Sequence, residues 1–114
     1  ERTARRALRT ARAFRRQGDP GKFYAALAQG VTGYLADRLG LSRSGTPLKT
    51  LLAQLARRGA DEAMLARLAD FLDACNFARF APGEHSGAQM ETHERDAERI
   101  LAEVMRAVAK EGRA

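Results

Sequence analysis

The sequence predicts an all-α fold, a compact bundle of about five helices. Three observations carry that reading. Ala, Leu, Arg and Glu dominate the composition, and all four are good helix formers. Val and Ile together number only four, too few to build a sheet. Start and stop signals also divide the 114 residues into segments of helical length. A chain this long forms one domain with a modest core. With no Trp and only seven aromatic residues, that core is built mostly from Leu and Ala.

The first helix covers about residues 2–17 and ends at Gly18. Asp19-Pro20 then supplies a cap followed by proline at the first helical position. The second helix runs from Pro20 to Leu39, with Phe23, Leu27, Val31, Tyr34 or Leu35, and Leu39 on one face, and Gly40 stops it. After a short loop to Gly45, Thr46-Pro47 repeats the cap-plus-proline start. Leu48, Leu51, Leu52 and Leu55 of the third helix point to the core, and Arg57-Arg58-Gly59 ends it. Asp61 caps a fourth helix that buries Met64 or Leu65, Leu68, Phe71, Leu72 and Cys75. Phe77 and Phe80 keep helical spacing and are expected to pack inward, before Pro82-Gly83 breaks the pattern. Glu84–Gln89 reads as a polar loop. A fifth helix, about Met90 to Lys110, buries Ala97, Ile100, Leu101, Val104 and Val108.

Charge is distributed unevenly along this framework. Residues 1–16 hold seven arginines against the single acid Glu1, so they carry the whole net charge of +6. At about 100° per residue, Arg2, Arg5, Arg9, Arg12 and Arg16 fall on one side of the first helix, opposite Ala4, Ala7, Leu8, Ala11 and Phe14. The apolar side is too thin to hold a helix in a bilayer interface. It is enough to dock on the second and fifth helices through Leu8 and Phe14. Residues 1–17 thus form a basic helix packed on a bundle of residues 18–114. Its arginines face an anionic neighbour, either an acidic membrane surface or nucleic acid.

Other residue clusters offer little chemistry. His85 and His93 stand eight apart, without the one-turn spacing of a zinc-protease helix, and read as solvated residues. Cys75 sits with Leu68 and Leu72 on an apolar face, where a thiol behaves as a small hydrophobe. Gly30-Val31-Thr32-Gly33 matches an RNA-clamp spacing, but it falls mid-helix in a chain without strands, where glycine permits close helix approach. The third and fourth helices outline a helix-turn-helix, yet the second of the pair opens with Asp61-Glu62, which repels phosphate. Asp70 and Asp73 read as a solvated face. No nucleophile, base and oxyanion site assembles, so no enzyme, cofactor or metal is expected. No apolar run reaches the roughly 18–20 residues of a membrane span.

Three stretches have a family look. They are Phe23-Tyr24-Ala25-Ala26-Leu27, Gly33-Tyr34-Leu35-Ala36-Asp37-Arg38-Leu39-Gly40-Leu41 and Cys75-Asn76-Phe77-Ala78-Arg79-Phe80-Ala81-Pro82-Gly83. Together with the basic first helix and the Thr-Pro-Leu start, they resemble the C-terminal cytoplasmic region of BatD, the aerotolerance (oxygen tolerance) proteins of bacteria. The resemblance implies a non-catalytic scaffold domain on the cytoplasmic side of the inner membrane, within a single-pass protein. It implies MoxR-type ATPase and von Willebrand factor A domain membrane proteins as partners. The basic helix would then follow the span, as the positive-inside rule requires, and a chain opening at Glu1 fits a cut just after that span. Arg79, between two aromatics, is the candidate partner-docking residue. A small nucleic-acid-binding protein that uses the Arg-rich helix is the alternative.

Overall fold

Helix ends carry unpaired backbone groups, and this chain supplies local partners for several of them. The computed structural model describes residues 2–42, 45–80 and 86–112. They form α1 (Arg2–Arg16), α2 (Pro20–Leu39), α3 (Leu48–Arg57), α4 (Glu62–Phe80) and α5 (Gly87–Gly112), and no strand occurs among the described residues. The fold is an all-α bundle.

Asp19 caps α2, its Oδ1 accepting from the Lys22 backbone N–H at 3.1 Å. Gly40 closes the same helix in the left-handed conformation, φ 70°, which only glycine adopts at no steric cost. The Leu41 N–H then reaches back to the Ala36 carbonyl at 2.8 Å, completing a Schellman closure. Asp61 caps α4 by accepting from the Met64 N–H at 2.7 Å.

Two boundaries differ from the sequence reading. Thr46 does not cap α3, because its hydroxyl donates to the Ser42 carbonyl at 2.6 Å while extended Pro47 stands at the cap position. The fifth helix begins at Gly87, within the stretch read as loop. Ser86 Oγ accepts from the Gln89 N–H at 3.1 Å, and Gln89 Oε1 accepts from the Ser86 N–H at 3.0 Å. This reciprocal pair is a capping box.

The core centres on α2, which touches all four other helices. Phe23, Tyr24, Leu27, Val31, Tyr34, Leu35 and Leu39 of α2 are buried, facing Leu51 and Leu55 of α3, Leu68 and Leu72 of α4, and Ile100, Leu101 and Val104 of α5. Leu52, expected in the core, is half-buried. Val108 lies outside the described side chains. The α1–α2 seam is made of small residues. Ala4 and Ala11 are buried, and a Cβ added to Gly30 would stand 2.5 Å from the Cβ of Ala7. Hydrogen at Gly30 is what lets the two backbones come this close. Leu8 and Phe14 flank the seam half-buried and do not anchor it alone.

The larger correction concerns Phe77 and Phe80, which are 76% and 74% exposed. The helix continues unbroken to Phe80, so the phase set by Leu68, Leu72 and Cys75 persists to Ala78, which is buried. At about 100° per residue, Phe77 and Phe80 then fall on the opposite face. Aromatic identity does not override helical phase.

Candidate functional site

Six of the seven arginines of α1 separate into two groups by what they meet. Helix α5 runs antiparallel to α1 and presents Glu91, Glu94 and Glu98 along one stripe. Arg12 Nε donates to Glu94 Oε2 at 2.6 Å, and Arg12 Nη2 donates to Glu98 Oε1 at 3.1 Å. Arg15 Nε and Nη1 donate to Glu94 Oε1 and Glu91 Oε1, both at 3.2 Å. Glu94 is a buried carboxylate, 8% exposed, and both its oxygens are satisfied by guanidinium groups from α1. A buried charge needs such partners. The hydrogen bond to Glu94 raises the Arg12 guanidinium above its ordinary range, against the lowering effect of burial. Arg12 therefore does not belong to the outward, anion-facing set in which its helical position places it. It lies at the edge of the apolar face, and α5 claims it.

Arg2, Arg6, Arg9 and Arg16 are the outward group. All four side chains are exposed and make no ion pair with the described residues. Arg5 is exposed too, but is engaged in an interaction of its own. Arg6, outside the candidate set read from the sequence, is a finding of the structure. With Arg2 it lines a cleft of about 430 Å³ between α1 and α2, which Thr10, Ala26, Gln29 and Gly30 complete. Among the described residues, no acid borders that cleft. The Thr10 hydroxyl donates to the Arg6 carbonyl at 3.1 Å, so among the described side chains the donors left to the cleft are Arg2, Arg6 and Gln29.

The groove between α4 and α5, about 350 Å³, is different in kind. Its floor is Phe71, Ala74 and Ile100, and its walls carry both signs of charge, with Arg67 paired to Glu103 across it. His93 lines this groove half-buried and is not the solvated residue the sequence implied. Its Nδ1 lies 2.7 Å from the Tyr24 hydroxyl, which donates to it when His93 carries its proton on Nε2. The two rings meet edge to face at 5.2 Å. Cys75 is fully buried nearby, and burial, then the charge of Asp96, pushes its thiol up to about 12. Burial also pushes Tyr24 up to about 12. A thiol so shifted stays protonated at neutral pH and makes a poor nucleophile. His85 lies outside the described residues. Among the described residues, no group of three or more His, Cys, Asp or Glu stands ready to hold a metal ion.

Arg79 is exposed and stacks its guanidinium 4.8 Å above the centre of the Phe80 ring. With Phe77 alongside, the end of α4 presents two large apolar rings and a cation to solvent. No helix of the described residues is long and apolar enough to cross a membrane. No family model, curated protein or solved structure matches the chain.

Proposed function

We propose that this chain is a non-catalytic interaction domain held at an anionic membrane surface, the cytoplasmic part of a single-pass bacterial membrane protein of the BatD type. The observation that supports it best is the division of α1. Its apolar side is used up against the bundle, and Arg12 and Arg15 are used up on α5, yet Arg2, Arg6, Arg9 and Arg16 have no counter-ion among the described residues. Unneutralised charge lowers folding stability by self-repulsion and gains its use from an external anion. Arginines beside an acidic leaflet each contribute on the order of 1 kcal/mol of attraction. With no large apolar side chain left over, α1 lies on the surface and does not insert.

The protein partner belongs to a second surface. Phe77, Arg79 and Phe80 combine exposed aromatic area with an arginine, residue types enriched at protein interfaces. A MoxR-type ATPase or a von Willebrand factor A domain protein is the partner that the BatD resemblance implies.

Co-sedimentation with vesicles tests the membrane half. The protein should pellet with phosphatidylcholine vesicles containing phosphatidylglycerol and remain in the supernatant with phosphatidylcholine alone. Indifference to the anionic lipid would remove this reading. Sequence-selective binding to duplex DNA near physiological salt would favour the nucleic-acid alternative, since contact through phosphates alone is steeply salt-dependent and non-selective.

A further inference from the structure

We propose that the cleft between α1 and α2 is a phosphomonoester site, in which Arg2 and Arg6 bind the terminal phosphate oxygens and Gln29 donates a third hydrogen bond. The inference rests on the membrane-facing reading for the source of the ligand, a lipid headgroup, but not for the site itself.

Three features single the cleft out from the rest of the basic surface. Arg2 and Arg6 stand one helical turn apart on the same side of α1, so both guanidinium groups reach one small anion. Each guanidinium is a planar fork suited to two phosphate oxygens. A monoester offers a charge close to −2 and three terminal oxygens, which matches two cations, whereas a diester offers −1 and two oxygens. The cleft wall on the α2 side is Ala26, Gln29 and Gly30. Ala26 and Gly30 have nothing long enough to fill the space, and Gln29 is exposed, leaving its amide accessible. Gly30 also fixes the depth of the cleft, because any larger residue would push Ala7 and the whole of α1 outward. Finally, no described residue compensates the charge. The α4–α5 groove carries three carboxylates beside its two arginines, whereas no acid among the described residues borders this cleft.

The experiment compares two double variants of equal charge. Arg2→Gln/Arg6→Gln empties the cleft of cations, and Arg9→Gln/Arg16→Gln removes the same charge elsewhere on α1. Each is co-sedimented with phosphatidylcholine vesicles containing either phosphatidic acid, a monoester, or phosphatidylglycerol, a diester, at matched surface charge. The wild-type chain should prefer phosphatidic acid roughly three- to tenfold, the worth of one added charge-assisted hydrogen bond at an exposed site. The cleft variant should lose that preference, and the other variant should bind both lipids more weakly while keeping it. Equal binding of the two lipids by the wild type, or equal loss in both variants, overturns the site and leaves the membrane reading standing. If the wild type ignores every anionic vesicle, the membrane reading falls instead. Inorganic phosphate then decides the cleft, followed by amide NMR at constant ionic strength against chloride. Shifts confined to Arg6, Gln29 and Gly30, and absent from the cleft variant, assign a site for a soluble phosphomonoester. Diffuse shifts, or none, overturn it. Duplex DNA that binds and is weakened equally by both double variants would also overturn it, since the surface would then be a general polyanion binder.

Discussion

Two groups of arginine share one helix and have opposite fates. Arg12 and Arg15 turn to α5 and neutralise Glu94, while Arg2, Arg6, Arg9 and Arg16 turn to solvent with no acid among the described residues to meet. Their chemistry is identical, and so is their helix. What differs is the neighbour that the fold brings up, here the acidic stripe of α5 beside the second half of α1. A basic residue near a domain surface is thus a structural tie or an external contact according to its azimuth and its partner, not its type. The phenylalanines repeat the lesson. Phe23 is wholly buried, whereas Phe77 and Phe80 are three-quarters in solvent.

The largest expected effect sharpens that second pair. Phe23→Ala should cost about 3–5 kcal/mol, through lost transfer energy and the cavity left behind. Phe77→Ala should stay within about 0.5 kcal/mol, as exposed substitutions do. Urea unfolding of the two variants reads the contrast directly, and similar losses would mean that the phase of α4 assigned here is wrong.

Next comes the seam on which the division of α1 depends. Gly30→Val should cost about 1–3 kcal/mol by overpacking, since its Cβ would collide with Ala7. Thermal melting checks it. A neutral result would mean that α1 is not seated on α2 at this depth.

Glu94→Ala probes the inward group. It leaves Arg12 and Arg15 partly buried without their shared carboxylate, for a cost of about 1–3 kcal/mol. Glu98 and Glu91 retain part of the contact, and solvent reaching Arg12 trims the loss. The companion Glu98→Ala, which removes only the exposed partner, should cost less than about 1 kcal/mol. Equal costs would deny Glu94 its central position.

A further effect is confined to alkaline pH. Cys75 and Tyr24 both titrate near 12 in the fold, above ordinary values of 9.0 and 10.0. The folded chain therefore holds protons that the unfolded chain releases, and stability falls as pH rises. The contribution is intact below pH 9 and is lost progressively towards pH 12. Melting temperature against pH should decline across that window, and Cys75→Ala should flatten its lower part. A wild-type profile level to pH 11 would contradict the burial of both groups.

Most helix boundaries were legible in the sequence because they are written in local chemistry. Asp19-Pro20, Gly40, Gly59 and Asp61 each act within one turn of themselves. The capping box Ser86-Gly87-Ala88-Gln89 was equally legible, but the polar composition around it read as loop. Phe77 and Phe80 mislead because aromatic character suggests burial, while the phase of Leu68, Leu72 and Cys75 turns both rings to solvent. The site was harder to read. Arg12 stands closer to the apolar edge than Arg9, but nothing local says that it meets an acid, since the acids that claim it lie more than 80 residues away. Their spacing, Glu91, Glu94 and Glu98 on one face of a helix, was visible, but not that α1 would lie beside it. The pairing of Tyr24 with His93 and the cleft that joins Arg2 and Arg6 to Gln29 are likewise products of tertiary packing.

The central claim is that the two arginine groups do different work, and one paired measurement tests it most directly. Arg6→Gln/Arg9→Gln and Arg12→Gln/Arg15→Gln carry the same net charge, so any effect of charge alone is equal in both. Each is melted and then co-sedimented with phosphatidylglycerol-containing vesicles below its transition. The outward variant should melt like the wild type, within about 0.5 kcal/mol per site, and lose most of its vesicle binding. The inward variant should melt earlier and keep its binding. If the two variants lose vesicle binding equally, or if the outward pair is the one that lowers the melting temperature, the division of α1 described here is contradicted.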